Sequence, residues 1–164
     1  MKGFTLVELL VVIGIIVILM TAALIAINPF RQFAMANNAS RWSGVTTIMN
    51  AVAQRTVDKK GSVTWDCDMD GTDDPIPTSA TIMADSTTLP AGYDICGCLV
   101  SDVDADFDDY IANMPYDPQT GSYTSCTTYK TGYTIARDAT TNRITICAED
   151  TQIPPEATKI CITR

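Results

Sequence analysis

Three groups of side chains in this 164-residue chain have types and spacings that could do chemistry. The first is one carboxylate, Glu8, inside an otherwise apolar run from Phe4 to Ile27 that no further charge interrupts before Arg31. The second is Asp66-Cys67-Asp68-Met69-Asp70-Gly71-Thr72-Asp73-Asp74, with five acids in nine residues. Alternating carboxylates with a glycine for the sharp turn suit calcium, a hard cation that takes roughly six to eight oxygens. The third is six cysteines, all after residue 66, an even number that in oxidising surroundings reads as three disulfides. The chain has no histidine, so the commonest general base is missing, and it carries no Gly-x-Ser-x-Gly, phosphate loop or dinucleotide fingerprint. No enzymatic activity is expected.

Glu8 demands an explanation. The apolar run is long enough to span a bilayer, about 36 Å at 1.5 Å per residue. A carboxylate inside such a span costs on the order of 3 kcal/mol on insertion scales, so it reads as functional and requires a counter-charge. The residues around it, Lys2-Gly3-Phe4-Thr5-Leu6-Val7-Glu8, resemble the processing signal of type IV prepilins and the related type II secretion pseudopilins. The resemblance implies cleavage between Gly3 and Phe4 by a dedicated prepilin peptidase and N-methylation of the new Phe4 amine. It further implies that Glu8 pairs with the terminal amine of a neighbouring subunit during assembly. An ordinary secretory signal would instead be cut after the apolar core, beside small residues. Thr21-Ala22-Ala23 is a weak candidate for such a site, since the apolar run continues past it.

These residues need elements to hold them. The resemblance and the pattern together suggest a leader at 1–3, a hydrophobic membrane or filament-core helix at 4–28, an amphipathic helix at 29–61 and a disulfide-rich head at 62–164. Asn28-Pro29 is the weak point between the two helical parts, because proline removes a helical hydrogen bond. Beyond it Phe30, Phe33, Ala36, Trp42, Val45, Ile48, Met49 and Val52 recur mostly at three- and four-residue spacing, which predicts a helix with one face to bury. Arg31, Gln32, Asn38, Arg41 and Arg55 are expected on other faces, and Lys59-Lys60-Gly61 ends the helix. Ser62 to Trp65 forms a short β-like run, and residues 66–94 read as loop. Asp102 to Met114 is expected to form a short helix or turn. Gly132 to Arg137 and Arg143 to Ala148 read as a hairpin, and Ile160 to Thr163 as a last strand. The expected fold is therefore α+β and pilin-like: a long helix whose second half packs on a small antiparallel sheet. The stretch Tyr110-Ile111-Ala112-Asn113-Met114-Pro115-Tyr116-Asp117-Pro118, with Gly121 and Tyr123, is similar to the segment before the sheet in pilins and major pseudopilins.

Cys147 and Cys161 lie in neighbouring strand-like runs and are the best pair. Cys96 and Cys98 are too close to bond each other and are expected to reach Cys67 and Cys126, in an order left open. A zinc site is disfavoured by the missing histidine and the spacing. In the acidic loop Asp66, Asp68, Asp70, the Thr72 carbonyl and Asp74 match calcium-loop positions one, three, five, seven and nine. The twelfth position is Pro77, so another acid must complete the shell, for example from Asp102 to Asp109, or binding is weak. Asn38-Ala39-Ser40 fits a glycosylation pattern but lies within the helix.

Charge divides the chain. Residues 28–60 carry five cations against one acid, and residues 61–164 carry seventeen acids against five cations. So acidic a head does not grip nucleic acid phosphates. The resemblance implies a single-pass inner-membrane precursor that polymerises with copies of itself, through dedicated assembly machinery, into a surface filament. A secretion pseudopilin and a minor or tip pilin that binds a ligand are the alternatives.

Overall fold

The computed structural model describes residues 3–68, 70–100, 110–152 and 159–164. Thr5 caps the first helix, α1 (Leu6–Ile27), in a capping box with Glu8, so two donors of the helix start are satisfied reciprocally. None of the residues of α1 is buried. Its length and composition suffice to cross a membrane. Asn28 ends it in the left-handed region, with φ of 45°, and its side chain accepts from the backbone N of Arg31. Pro29 then takes the first position of α2 (Pro29–Asp58), where its missing N–H leaves nothing unsatisfied. The Asn-Pro pair thus stops one helix and starts the next. Lys60 and Gly61, at φ of 57° and 86°, close α2, and Gly61 N donates back to Thr56 O at 2.7 Å.

The buried face of α2 is displaced from the apolar stripe predicted above. Val45, Ile48, Met49 and Val52 are buried, but Trp42 is 55% exposed, and Phe30, Phe33 and Ala36 are exposed as well. The face that meets the head runs Asn38, Arg41, Val45, Ile48, Val52, Arg55, again at three- and four-residue steps. Hydropathy missed it because three of those six are polar, each satisfied inside the head.

That face packs on β6 (Ile144–Ala148) and β7 (Ile160–Thr163). The five-stranded antiparallel sheet also contains β3 (Thr81–Ala84), β4 (Ser122–Ser125) and β5 (Thr128–Arg137). Its order is β3-β5-β6-β7, with β4 also on β5. Ile135, Ile146 and Ile162 stand opposite one another across three strands. Ile135 and Ile146 join the core with Tyr129, Tyr133, Ile95, Leu99 and Met114. A separate two-stranded ladder joins β1 (Thr64–Trp65) to β2 (Asp74–Pro75). The long helix followed by an antiparallel head is an α+β, pilin-like architecture.

Residues 66–94 are more than loop, since β2 and β3 both lie within them. These runs are too short to show an alternating pattern, and pairing with β1 and β5 defines them. Strand β5 begins four residues before the predicted start, and a short helix, α3 (Cys96–Leu99), was not foreseen. Residues 102–109 of the expected helix or turn lie outside the described residues, as do Pro154 and Pro155.

Three disulfides cross-link the head: Cys67–Cys98, Cys96–Cys126 and Cys147–Cys161. The first two anchor α3 to the acidic loop and to the turn between β4 and β5, and the third joins directly opposed residues of β6 and β7.

Candidate functional site

Gly3 has no neighbour that a Cβ would meet and no positive φ, so nothing in this chain's own packing requires glycine there. Phe4, next to it, is 82% exposed. Glu8 sits one turn on. Its Oε2 accepts from Thr5 N at 3.2 Å and from Thr5 Oγ1 at 3.2 Å, while Glu8 N donates to Thr5 Oγ1 at 3.3 Å. The carboxylate also lies at the helix N-terminus, where the macrodipole favours negative charge. Thr5 therefore holds the Glu8 carboxylate at the Phe4–Thr5 peptide, at the start of α1. Sequence reasoning overlooked Thr5, although Thr-x-x-Glu before an apolar run is the capping-box signature.

The acidic loop holds a second cluster. Asp66, Asp68 and Asp70 can each offer an oxygen so that all three lie within 4.8 Å of one another. Gly71 N donates to Asp66 Oδ2 at 3.0 Å, and Asp70 N to Asp68 Oδ1 at 3.4 Å. Asp66 Oδ1 is buried and accepts no hydrogen bond among the described residues. Asp74 is not part of that group of three. Thr72 donates its hydroxyl and its N–H to Asp70, which holds the Asp70 carboxyl below its ordinary range. Asp74 is drawn into β2 opposite Trp65; burial, then repulsion from Asp68, Asp70, Asp66 and Asp73, raises its carboxyl. The donor set is all oxygen and anionic, which suits a hard divalent cation. The run Asp102–Asp109 lies outside the described residues.

Beneath these features two arginines attach the helix to the head. Arg41 is wholly buried and its Nε donates to Asp117 Oδ2 at 2.5 Å. Its other nitrogens donate to Asn38 Oδ1 at 3.0 Å and Gln119 Oε1 at 3.1 Å. Burial alone would raise Asp117, but the Arg41 hydrogen bond and the N–H groups of Gln119 and Thr120 outweigh it and hold the carboxyl low. Arg55 donates to the Cys98 carbonyl at 2.8 Å and lies over the Trp65 ring. Asn38 is buried beside Arg41 and accepts from Gln152 N, which leaves no room for a glycan.

Comparison with known proteins finds one family model, the prokaryotic N-terminal methylation motif, over residues 1–24. No curated protein and no solved structure matches the chain. The motif covers Gly3, Phe4, Thr5 and Glu8, and it implies processing by a prepilin peptidase and use of pilus-type assembly machinery. Together with the long apolar helix it fits a membrane-anchored precursor. The motif and the helix-plus-sheet architecture support the recognition of this chain as one of the type IV pilin and pseudopilin family.

Proposed function

We propose that this chain is a structural subunit of a type IV pilus, stored in the inner membrane and polymerised into a surface filament. The observation that carries the reading is the N-terminal methylation motif placed on a fully exposed apolar helix. Cleavage after Gly3 frees the Phe4 amine, which is then methylated. In the filament Glu8 of one copy meets the Phe4 amine of its neighbour, exchanging its Thr5 hydrogen bonds for an ion pair in an apolar core, where a lone charge is strongly unfavourable. Residues 4–28 form that core, residues 29–61 carry the head, and residues 62–164 coat the outside. The role is structural rather than enzymatic. Replacing Glu8 by Ala is expected to leave processing intact and to reduce the chain in sheared surface filaments severalfold or more. Wild-type filament yield from Glu8→Ala would sink the pairing.

The acidic loop is proposed to bind calcium through Asp66, Asp68 and Asp70, the orphaned Asp66 Oδ1 being the observation in its favour. A bound cation would relieve the mutual repulsion of the loop acids and fix the loop against the Cys67–Cys98 bridge. Trp65 adjoins Asp66 and serves as an energy donor. Terbium luminescence excited through Trp65 should rise saturably, be competed by calcium, and disappear in Asp68→Asn/Asp70→Asn. A signal unchanged in that variant would place the ion elsewhere.

A further inference from the structure

A cavity of about 260 Å³ opens where the C-terminal half of α2 meets the ends of β6 and β7. Met49, Val52, Val63 and Ile144 give it apolar walls, and Asn142 and Arg164 line it with polar groups. Cations gather around it. Gly61, a lining residue, follows Lys59 and Lys60, and Arg143 stands between the lining residues Asn142 and Ile144. Lys59, Lys60, Arg143 and Arg164 are all exposed. Two acids lie beside them in sequence. Asp58 accepts from the Tyr110 hydroxyl, and Asp138 accepts from the N–H groups of Thr140 and Thr141. Among the side chains of the described residues, these four cations against two acids leave a positive excess at this corner of a chain whose net charge is −8. Arg41 and Arg55 cannot supply such a surface, because both are buried.

An apolar hole with a cationic rim selects a peptide with an apolar anchor flanked by carboxylates, the anchor for affinity and the charges for steering and register. The chain contains such a segment with an aromatic anchor: Asp102-Val103-Asp104-Ala105-Asp106-Phe107-Asp108-Asp109, with five acids around Phe107. Phe107 is the only phenylalanine outside residues 4–33. We infer that this cavity docks the Asp102–Asp109 segment of a second copy, with Phe107 in the hole and its flanking acids against Lys60, Arg143 and Arg164. The inference rests on the filament reading above and names one contact by which heads meet. The two surfaces differ, so the contact is head-to-tail and repeats from copy to copy rather than closing as a symmetric pair.

The test uses the full-length chain in detergent micelles and a fluorescein-labelled peptide spanning Ser101 to Tyr110, read by anisotropy. Saturable binding at low salt is expected, weakening at about 0.5 M salt as the charges are screened. It should weaken at least about tenfold both in Lys60→Glu/Arg164→Glu and when the peptide carries Phe107→Ala. No saturable binding, or binding indifferent to Phe107, overturns the inference. So does a wild-type chain that stays silent while its Phe107→Ala variant captures the peptide, since the chain's own segment then fills the hole. Filament yield separates the two readings. Wild-type yield from Lys60→Glu/Arg164→Glu removes this contact and leaves the filament standing, whereas a wild-type chain that forms no filament defeats the filament whatever the peptide does.

Discussion

Arg41 is the residue on which the attachment of helix to head most depends. Its guanidinium is fully buried, and Asp117, Asn38 and Gln119 all accept from it. Removing one partner of such a pair strands the other charge without water, which costs roughly 3–5 kcal/mol. Asp117→Ala should therefore lower unfolding stability by about that amount, and Arg41→Met/Asp117→Leu should restore a good part of it. Chemical denaturation in micelles checks both, and equal losses in the single and double variants would deny the coupling. A pH dependence belongs to the same scale. Burial raises Asp94 to about 6 despite hydrogen bonds from the Tyr129 hydroxyl and Cys96 N, so the folded state holds that proton more tightly than the unfolded chain does. Its penalty is fully present above about 6 and fades as pH falls towards 3.8. Asp85 runs the other way. Burial opposes it, but Thr87, Thr88 and Tyr129 N hold its carboxyl low, so its stabilisation is lost as pH falls below 3.8. Asp94→Asn should accordingly remove any gain in Tm between pH 7 and pH 4 (about the range of the shift) and leave the loss at lower pH. An unchanged profile would contradict the assignment. None of these partners is visible in the sequence, because pairs such as Arg41 and Asp117 meet only when the chain has folded.

At the scale of elements, close approach decides the fit of α2 on the sheet. A Cβ at Gly44 would lie 2.7 Å from Tyr133 Oη and 3.0 Å from its Cε2. Tyr133 is wholly buried and cannot swing aside, and its hydroxyl has no hydrogen-bond partner among the described residues. Gly44→Ala gains some helix propensity but overpacks this contact, for a net loss of about 1–2 kcal/mol. Tyr133→Phe should be neutral or slightly stabilising, since it removes an orphaned polar group. Combined with Tyr133→Phe, Gly44→Ala should lose less than it does alone. A Gly44→Ala chain as stable as wild type in thermal melts would refute the tight approach. The two long helices were legible from composition and from the Asn28-Pro29 and Lys59-Lys60-Gly61 boundaries, whereas α3 was not. The hairpin of β5 and β6 was legible from alternating apolar residues around a polar turn. The buried face of α2 was legible only in part, at Val45, Ile48, Met49 and Val52, because Asn38, Arg41 and Arg55 also belong to it and hydropathy assigns them to solvent. Strands β2, β3 and β4 were missed because each is too short to carry a period, and only pairing with a neighbour marks them.

Across the whole molecule the surface is divided. An exposed apolar helix fills one end, exposed Phe30, Phe33 and Trp42 continue its apolar character past the Asn28-Pro29 break, and an acidic head closed by three disulfides forms the other. A monomer with so much bare apolar surface is not stable alone in water; it requires a bilayer or neighbouring copies. The N-terminal methylation motif over residues 1–24 was legible because it is carried by the sequence itself, with no fold required, although the capping role of Thr5 was not. Of the acidic loop, the structure draws Asp66, Asp68 and Asp70 together, while Asp74 pairs with Trp65 in β2, a placement that only the folded ladder reveals. The most direct test of the account is mass spectrometry of the N-terminal peptide, taken separately from sheared surface material and from membranes. The account predicts a peptide beginning at methylated Phe4, abundant in the sheared fraction. A peptide still beginning at Met1 in both fractions would contradict it, and a processed peptide confined to membranes would contradict the exported filament.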